Sequence, residues 1–192
     1  ARGHLGKQLI KEFNLDEGKT PQHFAIGFKE IWEVENEKHS PGDVVHTMGW
    51  PLNEGTTGGG FLYHFDNKRV AVGLIVDLNY TNSSHNPFQE FQQFKKHPKV
   101  KQFLDSGKRI SYGARAITKG GINSLVKMDF NGGMIIGCDA GTLNPSKIKG
   151  SHCALQSGIL AAEYINKILN EEICDFDDLF KASPLYKELY KS

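Results

Sequence analysis

The hydrophobic period changes twice along this chain, from helical to strand-like and back, and this limits the fold more than any other feature of the sequence. Residues 4–13 place Leu5, Leu9 and Ile10 on one helical face. After Pro21 the period falls to two, and "HFAIGFKEIWEV" sets Phe24, Ile26, Phe28 and Ile31 against small or polar neighbours, as a half-buried strand does. "VVHTMGW", "GGGFLYHF" and "RVAVGLIVDL" continue as strands, with turns at Pro41-Gly42, Pro51 and Asp66-Asn67. From Pro87 to Leu104 the residues Phe88, Phe91, Phe94 and Phe103 recur at helical spacing and predict one helix crossing the sheet, with Gly107 as its stop. "RISYGARAI" and "LVKMDF" read as returning strands, "GMIIGCDA" as a short buried strand, and residues 150–169 as a long helix. The expected class is α+β, an antiparallel sheet domain with a covering helix over residues 22–128, flanked by partial α/β elements at both ends.

The chain has 192 residues, 39% of them hydrophobic, which is enough for a substantial core. Its 23 basic and 22 acidic residues create no field that would favour nucleic acid or a cationic partner. The longest apolar run, Val70 to Val76, is far short of the roughly 20 residues that a spanning helix needs. Cys138, Cys153 and Cys174 are odd in number and lack paired spacing, which predicts reduced packing thiols rather than a disulfide scaffold or a zinc knot. His4, His46, His64 and His152 share no ligand spacing, so no metal is assigned. The chain starts without methionine and its "SPLYKELYKS" stops inside a helical pattern, so an excised piece of a longer protein is expected.

The stretch "GCDAGTLNPSKIKGSHCALQSG" runs from an apolar segment through small residues into a helix. A helix N-terminus entered this way presents free N–H groups and its dipole to an anionic or electron-rich ligand. Asp139 either caps a helix or accepts hydrogen bonds from sugar or ribityl hydroxyls. Gly58 and Gly59 either form a bulge or let backbone approach a flat ligand. Arg115 suits an ion pair or a charged ligand. Trp50 and Pro51 suit packing or the wall of an apolar tail site. Phe88, Phe91 and Phe94 suit the core, while Lys95, Lys96, Lys99 and Lys101 suit a solvated face or contact with anionic head groups.

The stretch from Gly137 to Ala162 resembles the late flavin-binding segment of the glutathione-reductase-like flavoproteins, which runs Gly-Asp-Ala, a proline, a glycine, then alanine and glycine on a helix. The resemblance implies Rossmann-like FAD-binding elements at both ends. Asp139 and Ala140 would lie at the ribityl or pyrophosphate portion, and Lys149, Gly150 and Ser151 at the N1/O2 edge of the flavin. "ARGHLGKQL" is similar to the segment after a Gly-Ala-Asp-Gly motif there, with Arg2 where many members carry aspartate.

In order, "GHLGKQL", "GFKEIWEV", "HTMGWPL", "TTGGGFLYH", "NPFQEFQQFKKHP", "GKRISYGARAI" and "PSKIKGSHCALQSGILAAEYI" resemble the electron transfer flavoprotein-ubiquinone oxidoreductases over nearly the whole chain. That resemblance implies an enzyme with FAD and a 4Fe-4S cluster that accepts electrons from reduced electron transfer flavoprotein and reduces ubiquinone. It also implies a peripheral or monotopic place on an inner membrane, either mitochondrial on the matrix side or bacterial cytoplasmic. The cluster ligands would lie outside this chain, which matches none of them with its three cysteines, and the isolated piece is expected to be inactive. Gly58 and Gly59 match a glycine pair lying against the quinone ring, with Thr57 in place of a tyrosine, and Tyr112 and Arg115 match the pocket beside it. Residues 1–21 and 129–170 become segments of the FAD domain, 22–128 the ubiquinone-binding domain, and 171–192 the start of a following region. Two other readings stay open: a geranylgeranyl-reductase-like enzyme acting on an isoprenoid lipid, and a non-enzymatic lipid- or protein-binding module.

Overall fold

The computed structural model describes residues 3–35, 37, 39–53, 55–147 and 150–192. The chain divides into two compact units, residues 25–116 and residues 1–24 with 117–192.

In the middle unit, five strands among the described residues form one sheet in the order β2-β3-β4-β1-β5. They are β1 (Phe24–Glu33), β2 (Val44–Met48), β3 (Gly58–Phe65), β4 (Arg69–Asp77) and β5 (Lys108–Thr118). The β2/β3, β3/β4 and β1/β4 pairs are antiparallel. Side chains alternate along a strand, so the register puts Gly58, Gly60, Leu62 and His64 of β3 on one face with Val70, Val72, Leu74 and Val76 of β4. Ile26, Phe28, Glu30 and Trp32 of β1 share that face. It is covered by α2 (Pro87–Lys96) and α3 (Pro98–Leu104), which bring Phe91, Phe94, Val100 and Leu104 into its core.

The single helix expected over residues 87–104 is two. Pro98 has no N–H to donate and disfavours helical geometry at His97, which sits at φ −60°, ψ 132°. The His97 ring then accepts from the Lys99 N–H and starts α3. Phe88, expected in the core, is 53% exposed on the rim and meets Phe28 edge-on. Lys95, expected in solvent, is drawn inward because the core-facing position 30 of β1 is an acid. Glu30 is 2% exposed and accepts from Lys95 Nζ at 2.9 and 3.0 Å, Arg109 at 3.1 Å and the Trp32 indole N–H at 2.9 Å. The Lys95 ammonium also lies 5.0 Å from the centre of the Phe91 ring.

The terminal unit is mostly helical. It holds α1 (His4–Glu12), a short hairpin of β6 (Asp129–Phe130) and β7 (Gly133–Met134), the single turn α4 (Gly137–Ala140), α5 (Ser151–Leu169), α6 (Phe176–Ala182) and α7 (Pro184–Tyr190). Two expected strands shrink here: "LVKMDF" keeps only Asp129-Phe130, and "GCDA" is helical rather than the end of a strand. Gly137 at φ +64° starts that turn, a backbone state that side chains disfavour. Its core joins Leu15, Val126, Met128, Ile135, Ala140 and Cys153 to Phe176, Phe180, Leu185 and Leu189. Residues 171–192 therefore complete this unit, and 117–128 cluster with it rather than with the middle one. Of the apolar positions on α1, Leu9 and Ile10 pack on the core, whereas Leu5 is exposed.

Candidate functional site

An apolar groove of about 530 Å³ lies in the middle unit, on the helix-covered face of the sheet. Val45 and Thr47 of β2 and Leu62 and His64 of β3 line it, facing Phe94, Val100 and Phe103 from the helices. Met48 and Trp50 also line it, and Met48 is 87% exposed. This volume is in the range of small-molecule sites, and large apolar side chains kept in water beside a cleft mark a binding surface.

The floor of the groove is a matter of strand chemistry. Gly60 has no side chain, and a Cβ there would run into the Phe94 ring, so glycine is what lets the helix settle this low. Two and four residues on, Leu62 and His64 continue the same face for about 13 Å of strand. His64 is 5% exposed, and burial pushes its imidazole below the ordinary range, helped by the neighbouring His39 and opposed by Asp43.

The four residues aligned with a quinone site fall in two places. Gly58 and Gly59 are on β3, with their Cβ directions on opposite faces. A side chain on Gly58 would strike Ile75 O and Leu52, and one on Gly59 would come to 2.5 Å from Thr47 O. Tight packing against neighbouring strands accounts for both glycines. Tyr112 and Arg115 are exposed on β5, three strand positions from β3 in the sheet order, or about 14 Å. The Arg109 guanidinium covers the Tyr112 ring at 5.1 Å, and Arg115 has no ion pair among the described residues. His64 and Glu30 were missed by sequence reasoning. The signal available for His64 was its period-two phase with Gly60 and Leu62, and for Glu30 an acid at an inward phase of β1.

In the terminal unit Asp139 Oδ1 accepts from the Gly3 N–H at 2.7 Å, which caps α1. Gly3 and Gly6 make room for this carboxylate, since a Cβ on either would lie 3.1 Å from its atoms. Asp139 also lines a cleft of about 290 Å³ with Thr20, Gln22, Thr118 and Ser124. Ala140 is fully buried in the core. Gly150 is the residue before α5, and no side chain caps that helix, which opens with Ser151. Lys149, like Arg2, lies outside the described residues.

His152, dismissed on spacing, is brought beside Cys153 and Glu188, with ligand atoms within 4.8 Å of one another. Glu188 Oε1 already accepts from His152 at 2.6 Å, Asn144 at 2.9 Å and Lys147 at 3.1 Å. These donors hold the Glu188 carboxyl down at about 2, so the group is an ion-pair network tying α5 to α7. Burial and Glu188 raise the Cys153 thiol, so it is no reactive thiolate.

A family model described as "ETF-QO, ubiquinone-binding" matches residues 24–117, the middle unit and its edges. The whole chain is 58% identical to the electron transfer flavoprotein-ubiquinone oxidoreductase of Pseudomonas aeruginosa, covering 36% of it. Over 98% of its length the chain is 46% identical to the mitochondrial protein of that name in Bos taurus, covering 32% of that relative. The chain thus spans about a third of the length of these relatives. Among solved structures, a flavin-dependent brominase superposes with TM-score 0.57 at 17% identity, over 83% of this chain and 39% of the other. A geranylgeranyl bacteriochlorophyll reductase-like protein from Thermoplasma acidophilum gives TM-score 0.57 at 16% identity, over 88% and 38%. At such identities these two speak for the fold alone.

Proposed function

The chain belongs to the electron transfer flavoprotein-ubiquinone oxidoreductase family, and from that premise we propose that it is the quinone-binding part of an enzyme that takes electrons from reduced electron transfer flavoprotein and reduces ubiquinone to ubiquinol. The observation that carries this reading is the apolar groove inside the segment matched by the ubiquinone-binding family model. Its walls of Leu62, Phe94, Val100 and Phe103 exclude water from a flat ring, while Met48 and Trp50 give an isoprenoid tail an apolar way out. Gly58 and Gly59 act through the backbone of β3, and Tyr112 and Arg115 serve the exposed edge of the same sheet. The membrane side is an inner-membrane surface, mitochondrial or bacterial, held peripherally or monotopically. No helix among the described residues is long and apolar enough to cross a membrane.

The terminal unit has features that fit a flavin. The first turn of α5 has no side-chain cap, and Asp139 keeps Oδ2 free of hydrogen bonds among the described residues. In this proposal residues 1–21 and 129–170 belong to Rossmann-like FAD-domain elements. Asp139 and Ala140 hold the ribityl or pyrophosphate part, and Lys149, Gly150 and Ser151 offer N–H groups to the N1/O2 edge. When bound, FAD supplies the two-electron chemistry that quinone reduction needs. The 4Fe-4S cluster has its ligands outside this chain, and Cys138, Cys153 and Cys174 take no part.

The test is a fluorescence titration of the full-length protein with decylubiquinone in detergent. Trp50 lines the groove, so bound quinone quenches its emission, and Trp50→Phe removes most of the saturable change. Saturable quenching that persists unchanged in Trp50→Phe would move the quinone away from this groove.

A further inference from the structure

We propose that the edge strand β2 and the turn after it form a shallow seat on an anionic bilayer surface. Val44, Val45, Met48 and Trp50 enter the interface, and Lys96 and Lys99 meet lipid phosphates. This rests on the reading above for one point, that a quinone tail leaves past Met48 and Trp50. β2 pairs only with β3 among the described residues. It carries Val44 at 60%, Val45 at 46% and Met48 at 87% exposure, and Trp50 follows at 52%. A soluble surface rarely keeps four large apolar side chains together in water. The register sets Met48 opposite Gly59, so the patch reaches the Gly58-Gly59 end of β3.

The charged rim comes from the junction of α2 and α3. The Trp50 ring leans on the exposed His97 at 5.1 Å, and an indole between a polar neighbour and an open apolar side suits the head-group layer. Lys96 and Lys99 stand on either side of His97, are exposed, and have no ion pair among the described residues. His97 and Lys99 line the same groove as Met48 and Trp50, and Asp43 is the one acid in that lining. Two ammonium groups on long stems can meet phosphates while the stems stay with the apolar patch. Lys101 adds little, because Asp105 lies 3.7 Å from its ammonium.

A bilayer fits this patch better than a protein partner because of what passes through it. Each CH₂ of an isoprenoid tail favours hydrocarbon over water, so a groove mouth facing water would have to draw the tail across an unfavourable phase. A mouth seated on lipid hands it from one apolar phase to another. The seat is shallow for a backbone reason. The outer N–H and C=O groups of β2 have no strand partner among the described residues, and unpaired backbone is not tolerated in the hydrocarbon core, so the strand stays at head-group depth.

The experiment follows co-flotation of the full-length protein with phosphatidylcholine vesicles, with and without phosphatidylglycerol. Met48→Ser should weaken partitioning about fivefold on both compositions, and Met48→Leu should keep it. Lys96→Gln combined with Lys99→Gln should weaken it about tenfold on phosphatidylglycerol vesicles at low salt, and leave it unchanged on phosphatidylcholine alone. Lipids brominated near the head group should quench Trp50, read as the emission lost in Trp50→Phe, more than lipids brominated near the chain ends. The substituted side chains are exposed, and equal melting temperatures check the fold. Unchanged partitioning of Met48→Ser, a lysine variant that behaves like wild type on phosphatidylglycerol, or deeper quenching of Trp50 would each overturn the seat. So would a Trp50 shielded from acrylamide before vesicles are added, since another part of the full-length protein would then cover it. The decylubiquinone titration in detergent contains no bilayer, so its Trp50 quenching survives failure of the seat. Vesicle effects that hold while that titration fails would remove the quinone reading and leave the seat.

Discussion

Glu30 and Lys95 form a pair whose coupling is measurable, because each keeps different partners when the other is removed. Lys95→Met strips one donor from a buried carboxylate, but Arg109 at 3.1 Å and the Trp32 N–H at 2.9 Å remain. That loss should cost about 2 kcal/mol, below the usual 3–5 for a broken buried pair. Glu30→Leu leaves the Lys95 ammonium, its side chain only 13% exposed, with aromatic rings and no carboxylate, and should cost about 3 kcal/mol. In the double variant neither charge is stranded. Its cost should stay near 2 kcal/mol, from the lost Arg109 and Trp32 bonds, giving a coupling of about 3 kcal/mol. Urea unfolding of all four proteins at pH 7, with equal slopes, is the assay. Single losses that add within about 0.5 kcal/mol would refute the claim that these two groups neutralise each other in the core.

Gly59→Ala should lower stability by about 1–3 kcal/mol because its Cβ meets Thr47 O, whereas Gly113→Ala, with nothing within 4 Å, should stay within about 0.5; thermal melts that rank the two equally would contradict this. Asp139→Ala removes the cap on the Gly3 N–H, costs about 1 kcal/mol, and in the full-length protein should lower the flavin absorbance retained after gel filtration. The Glu188 carboxyl is lowered from its ordinary 4.5 to about 2, chiefly by His152, so its contribution is complete above pH 4.5 and lost as pH falls toward 2. Glu188→Gln should therefore flatten the acid limb of a melting-temperature profile over that window. Burial lowers the His64 imidazole from its ordinary 6.5, so the unfolded chain takes up the proton first and stability falls as pH drops below about 6.5.

The strands of the middle unit were legible because one face of the sheet is buried and the pleat repeats every two residues, so Ile26, Phe28, Leu62, Val72 and Leu74 declare the core face unaided. The break at His97 was also written in the chain, as a proline inside a helical pattern, and aromatic spacing alone hid it. Long-range features left no local trace. Glu30 and Lys95 are 65 residues apart, and Glu188 and His152 are 36 apart; no window of sequence contains either pair. The glycines of β3 were visible as a motif, but their physical cause was not, because what excludes a side chain at Gly59 is a carbonyl on another strand. Asp139 was legible as an acid between an apolar run and a helix, yet the helix it caps lies 136 residues earlier.

The strands by which the chain enters and leaves the middle unit, β1 and β5, are neighbours in the sheet, and the Lys119 N–H bonds His23 O at 2.9 Å where they converge. Two adjacent strands stand about 5 Å apart, so the middle unit begins and ends at nearly one point. A segment with that geometry is an exchangeable cassette: splicing it in or out asks the host chain to close only a hairpin-sized gap. Its own core of Val70, Val72, Leu74, Phe91 and Phe94 would travel with it. Chimeras that trade residues 25–116 between relatives therefore join the host chain at two neighbouring backbone positions, and the groove moves as a whole with the cassette.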